Sequence, residues 1–320
     1  TVSLWAAVGL IRDGDAYGSV DIEGAALRFE AGRWVGQLGA NDNAIETTVV
    51  RLAGLAGHEG ITILESNALE VNTVTVTVNR VGSDAATTAL SDATLAEVTT
   101  LGNGSIVLRT VHGDILLNGG EPAAVRALGP PVGDGHILLQ AQGEDSSIYI
   151  NRDVISDSGD ITVLADLNLV AAQTASVSTS LDGSVEVRAL NGSIEFGRDS
   201  QIRSSVGDIE LMAANNIGLG GQLTTNATVA LIAESGSIAD IFLDGTIVVQ
   251  AGALMARAGL SIGNSSNTMG IDVDRLTVLG ERGGVYLSER RGLVVVDQLQ
   301  WQVNRVGPDA LLLPRVRTSA

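Results

Sequence analysis

A right-handed parallel β-helix, a β-solenoid with about three short strands per coil and coils of roughly 18–24 residues, is the fold class this chain predicts. Three observations carry that expectation: turn glycines at a fixed spacing, two-residue alternation after each of them, and a long internal repeat. Gly135, Gly159, Gly183 and Gly207 stand 24 residues apart, each two residues ahead of Ile137, Ile161, Val185 and Ile209. The stretches GDITVLA, GSVEVRA and GDIELMA then place apolar residues at i and i+2, one face of a strand.

A second short strand is expected at Ile148/Ile150, Leu167/Leu169, Ile194/Phe196 and Ile217/Leu219, and a third around Val154, Val177, Ile202 and Leu223. One such turn cannot bury its inward side chains, whereas turns stacked about 4.8 Å apart pair every backbone group with the coils above and below. Gly104 opens an earlier rung, with Ile106 and Leu108 and then Ile115 and Leu117. The interval to Gly135 is too long for one coil, and residues 119–134, with three of the five prolines, are expected to leave the coil as a protruding loop.

The long period is a repeat of about 225 residues, in which 4–85 matches 231–310. LRFEAGRWVG at 27–36 matches LMARAGLSIG at 254–263, and the segment from Gly60 to Ala85 matches that from Gly284 to Ala310, both ending in NRVG-x-DA. The expected organisation is a single continuous solenoid over 1–320, of about a dozen turns, whose two ends fall inside a repeat array.

Composition agrees and excludes several functions. Apolar residues make up 45% of the 320 and aromatics only 3%, so the interior is built from short aliphatic side chains; 39 glycines against 5 prolines suit many tight turns. The formal charge is −18, with all 19 basic residues arginine. Such a surface repels phosphate, so nucleic acid is not an expected partner. There is no cysteine, which excludes a disulfide framework and thiol chemistry. No apolar run is long enough to span a bilayer and no signal peptide opens the chain, so no membrane insertion is expected and any export signal is expected outside this segment.

With GSIVLRTVHGDILLNGG, GDITVLADLNLVAA and the recurring NRVG-x-DA, the chain resembles the repeat regions of very large bacterial surface proteins, similar to the β-helical shaft of filamentous-haemagglutinin-type adhesins. The resemblance covers nearly the whole chain and is one of pattern. It implies export, an extracellular or cell-surface location, and a role as spacer, adhesin or matrix fibre. Partners would be neighbouring repeats or further copies end to end, with cell-surface glycans or other cells as the ligand class of such adhesins. No receptor carries over, since Arg12-Asp13-Gly14-Asp15 is not an intact RGD tripeptide.

Residues that could carry chemistry are few. The best acid pair is Asp272/Asp274 in GIDVDRL, at i and i+2 on an expected strand, as β-helix glycosidases and lyases use acids along one face. The matching stretch around Thr47 and Val49 has no such pair. Asp13/Asp15 and Asp157/Asp160 flank glycines, where Asx turns account for them. His58, His112 and His136 lie apart, without metal-ligand spacing, and read as surface or turn residues. Thr73, Thr75 and Thr77 form an outward hydroxyl row with Val74, Val76 and Val78 expected inward, and the matching positions are glutamines. Trp5, Trp34 and Trp301 are isolated in sequence. The expectation is therefore a non-catalytic scaffold with no cofactor beyond loosely held calcium. The alternative is a carbohydrate-binding or carbohydrate-active β-helix.

Overall fold

The computed structural model describes residues 1–15, 18–129, 134–242 and 244–319. Stacked strands build a parallel β-solenoid of about 12 turns, and among the described residues there is no helix. The register follows the turn glycines. Ile137 pairs with Ile161, Ile161 with Val185, and Val185 with Ile209; Leu139, Val163, Val187 and Leu211 form the adjacent ladder. All eight are sealed from solvent in one aliphatic core that runs the length of the coil. A second wall stacks Val154, Val177, Ile202 and Leu223, and a third stacks Ile150, Ala171, Phe196 and Leu219.

Glycine is required at these corners because the coil below comes too close for a side chain. A Cβ on Gly183 would lie 2.2 Å from the carbonyl oxygen of Gly159, and one on Gly207 would meet that of Gly183 at 2.2 Å. The glycine that opens each rung is thus what lets the next rung stack.

The long repeat is a repeat of structure. Leu4 pairs with Phe29 as Leu231 pairs with Ala256, Leu27 pairs with Leu52 as Leu254 with Leu276, and Trp34 pairs with Gly60 as Ser261 with Gly284. Leu4 lies on the wall that continues through Gly54, Val98, Val125 and Val154, whereas Leu231 stacks on Leu211 and Val187. One unit therefore does not close on a whole number of turns, and its successor is rotated by one face of the coil.

Several expectations need correction. The 119–134 segment is not a loop throughout: Ala123–Leu128 is a buried strand paired in parallel with Val98–Leu101 on one side and Asp153–Ser156 on the other. Alanine-rich AAVRAL fits the narrow wall despite Pro122; Pro130, Pro131, Val132 and Gly133 lie outside the described residues. In the third wall, Ile148 stacks on Leu169 and Ile150 on Ala171, so Leu167 belongs to the preceding turn. Val74 and Val76 are buried, but not inside the coil as expected: they pack on Ala26 and Ala53, which alternate with the inward Leu27 and Leu52, and Val78 is exposed.

Among the described residues the chain also leaves the coil in two places, so it is not one uninterrupted solenoid. Thr77–Val81 and Thr87–Ser91 form an antiparallel hairpin, as do Gln300–Val306 and Leu312–Thr318. These are the two NRVG-x-DA copies, and their turns match bond for bond. Gly82 N–H donates to the Ala86 carbonyl at 2.8 Å and Gly307 N–H to that of Leu311 at 2.8 Å, while Ala85 and Ala310 take φ of 61° and 62°.

Candidate functional site

The second hairpin makes the most elaborate side-chain site among the described residues. It lies along the outside of the solenoid, crossing the strands. Beneath it, Val107, Leu138, Thr162, Glu186, Glu210, Ala230 and Met255 stack coil on coil at the positions that alternate with the inward Ile and Val ladder. Strand alternation points these side chains outward. They are nonetheless buried, and Thr162, Glu186 and Glu210 have no exposed surface, because the hairpin covers them.

The hairpin's edge binds this row and the polar residues beside it with its backbone. The amides of Gln302, Asn304 and Val306 donate to Asp208 Oδ2 at 2.7 Å, Ser184 Oγ at 2.8 Å and Thr162 Oγ1 at 3.0 Å. Asn304 Nδ2 reaches Asp160 Oδ1 at 3.2 Å, and Gly39 N–H donates to the Asp309 carbonyl in the hairpin turn at 2.8 Å. At one end Leu299 and Trp301 pack on Ala230, Ile232, Ala253 and Met255; at the other Val306 packs on Val107, Leu138 and Leu164.

Charge is neutralised between these two apolar contacts. Arg305 donates to both carboxylate oxygens of Glu186, through Nε at 2.8 Å and through Nη2, with Arg315 at 3.7 Å and Arg188 at 4.0 Å from the same group. Glu210 accepts a hydrogen bond from Trp301 Nε1 at 2.7 Å and forms an ion pair with Arg317 at 3.2 Å. Burial first, and then the neighbouring Arg305, pushes the Arg188 guanidinium below its ordinary pKa. A buried carboxylate without partners would be strongly unfavourable, so the hairpin and the acidic row require one another.

Asp272 and Asp274 do share a strand, Met269–Gly280. Asp272 is buried and its carboxylate is bound by Arg291 Nε, whose guanidinium both acids and Glu289 hold above its ordinary pKa, while Asp274 is exposed. This geometry is an ion-paired corner. His58 and His112 are exposed, but His136 is buried, not solvent-facing as the sequence suggested. Its Nδ1 accepts the Asp160 amide at 3.0 Å, and burial lowers its pKa although Asp160 opposes the shift. The tryptophans are not brought together: Trp5 is exposed, Trp34 lies under Arg33 at 4.5 Å, and Trp301 is covered.

A second cluster was not legible as a unit in the sequence. Asp13, Asp15 and Asp21 bring carboxylate oxygens within 4.8 Å of one another. Asp13 Oδ1 accepts the Asp15 amide at 2.9 Å in the expected Asx turn, and Asn43 donates to Asp13 Oδ2 at 2.9 Å. Glu46 joins from the adjacent strand. Its pKa is pushed up to about 7 by burial, then by hydrogen bonding to and repulsion from Asp21 and by repulsion from Asp13, and its Oε2 is buried with no hydrogen-bond partner.

No helix among the described residues is long and apolar enough to cross a membrane. No known protein family matches the chain, nor does any curated protein or any solved structure.

Proposed function

We propose that this chain is a non-catalytic structural repeat of a bacterial cell-surface or extracellular-matrix adhesin or fibre, acting as a stiff spacer. One observation carries this reading: the pairing of Leu4 with Phe29 returns as that of Leu231 with Ala256, so the core propagates from one unit into the next without a break. A body in which each coil contacts only its neighbours grows in length at constant width, and backbone pairing along the axis gives it stiffness. The surface chemistry agrees, since the acids Glu186, Glu210 and Asp272 are each bound by an arginine of the same chain. Neighbouring repeats or further copies end to end are its partners, and the charge of −18 opposes side-by-side aggregation.

The test separates this from a carbohydrate-active β-helix. Incubated with neutral and acidic polysaccharides, the chain should release no new reducing ends and no unsaturated sugars, and it should keep a fixed length under single-molecule tension until it unfolds. Turnover of any glycan, abolished by Asp272→Asn, would replace the mechanical reading with the enzymatic one.

Loosely held calcium is the accessory reading. The Asp13/Asp15/Asp21 cluster favours it, together with the unpartnered, buried Oε2 of Glu46 beside Asp21, because a divalent cation is the natural counter-ion for carboxylates so placed. Millimolar calcium should raise the melting temperature of the parent chain and leave Asp13→Asn/Asp21→Asn unmoved.

A further inference from the structure

The two hairpins share the pentapeptide VNRVG and opposite fates. In the second hairpin Val303 and Val306 are 0% and 1% exposed, while their counterparts Val78 and Val81 are 58% and 64% exposed. Asn304 and Arg305 bind Ser184, Asp160 and Glu186. Asn79 and Arg80, identical in type and held in the same register, lie on the surface. The base of the first hairpin is seated as in the second: Val74 and Val76 pack on Ala26 and Ala53, where Leu299 and Trp301 pack on Ala230 and Ala253. The divergence begins beyond that base. Trp301 sits over the strand Thr228–Ala233, whose counterpart is Val2–Ala6, and the rest of the second hairpin runs on over the strands at 209–213, 185–189 and 161–165. Among the described residues Val2–Ala6 pairs only with Ile22–Ala31, and the part of the first hairpin beyond its base is exposed instead of covered.

Resting on the tandem-repeat reading above, we infer that the first hairpin is a docking strap for another unit of the same coil: Val78, Asn79, Arg80 and Val81 seat on a row equivalent to Leu138, Thr162, Ser184 and Glu186. Each unit is then fastened to the one before it twice, by coil stacking and by a strap lying across the joint. Because successive units are rotated by one face, successive straps lie on different faces of the rod.

The returning strand adds specificity. Leu90 and Asp92 stand where Arg315 and Arg317 meet Glu186 and Glu210. Asp92 would oppose an acid at the Glu210 position, so the neighbour this strap fits is a related unit with an uncharged or basic residue there.

The test uses a longer chain, residues 1–230 followed directly by 4–320, which continues the coil because Leu4 and Leu231 are equivalent. The first copy carries Glu210→Arg. Amide exchange at Asn79 and Val81 of the second copy, the counterparts of the bonded amides of Asn304 and Val306, should slow at least tenfold relative to the single chain. Arg80→Glu in the second copy should restore fast exchange. The proposal is overturned if those amides exchange as freely as in the single chain while the coils around them stay protected, or if Arg80→Glu leaves the protection unchanged. Should the longer chain not fold, replacing Trp301–Arg317 of the single chain with Val76–Asp92, with Glu210→Arg, poses the same question. That chimaera should keep Thr162 and Glu186 protected, and a freely exchanging grafted hairpin would overturn the proposal. Failure of either experiment with an intact solenoid leaves the spacer reading standing, whereas glycan turnover removes that reading without touching the strap.

Discussion

Arg305 and Glu186 are 119 residues apart in sequence and joined by two hydrogen bonds, with the Glu186 side chain fully buried. The pair fastens a hairpin to a coil laid down five rungs earlier. Removing one member of a buried pair leaves an uncompensated charge and costs about 3–5 kcal/mol. Arg315 and Arg188 stand near the same carboxylate, so Arg305→Met should fall at the lower end, about 3 kcal/mol by chemical denaturation. Adding Glu186→Leu should recover part of that loss. A single-variant effect within about 0.5 kcal/mol, that of an exposed pair, would place Arg305 in solvent.

Val185 tests the inward ladder. It is fully buried between Ile161 and Ile209, and Val185→Asp should cost more than about 3 kcal/mol or prevent folding. Val81→Asp, on the exposed hairpin, should stay within about 0.5 kcal/mol of the parent. Equal melting temperatures for the two variants would mean that the register is wrong.

Glu46 gives the chain a pH dependence of known sign. Its folded pKa of about 7 lies above the ordinary 4.5, so the folded state holds its proton more tightly than the unfolded state. The contribution is fully present below pH 4.5 and is lost as pH rises to about 7. His136 works the other way, since a pKa lowered from 6.5 favours folding above that value and is lost as pH falls below the folded pKa. Melting temperatures of parent and Glu46→Gln from pH 4.5 to 8 isolate the first effect: the parent should lose stability relative to the variant as pH rises. Parallel curves would remove the carboxylate cluster from the account.

Trypsin distinguishes the hairpins. Arg80 is exposed whereas Arg305 is bound to Glu186, so the bond after Arg80 should be cut well before the bond after Arg305. Arg126, on the strand Ala123–Leu128 that pairs on both sides, should also resist. Early cleavage after Arg126 would restore the loop expected from the prolines.

The legible part of the fold was the part written by backbone crowding and alternation. Gly159, Gly183 and Gly207 announce themselves because no other residue fits under the next coil, and Ile161 or Val185 follow because the core is narrow. The hairpins escaped because TVTVTVNRV alternates just as a coil strand does; an antiparallel partner leaves no mark on one strand's periodicity. Ala123–Leu128 was hidden by its flanking prolines and glycines. The strap site left one trace: Leu138 and Leu164 are apolar at outward positions, which a solvated wall would not favour. Glu186 and Glu210 alternate with the inward Val185, Val187, Ile209 and Leu211 as a solvated face would, and only the hairpin that covers them assigns their role.

In the proposed rod, units join end to end at constant width. Between Leu4 and its counterpart Leu231 the chain makes a little over eight turns, which at 4.8 Å per turn is roughly 40 Å of added length per unit. Electron microscopy of the single chain and of the chain lengthened by one unit tests this directly. Particles of equal width are expected, the longer by roughly 40 Å and straight through the joint. A longer chain that instead doubles in width, or folds back at the joint into a compact particle, would contradict end-to-end joining.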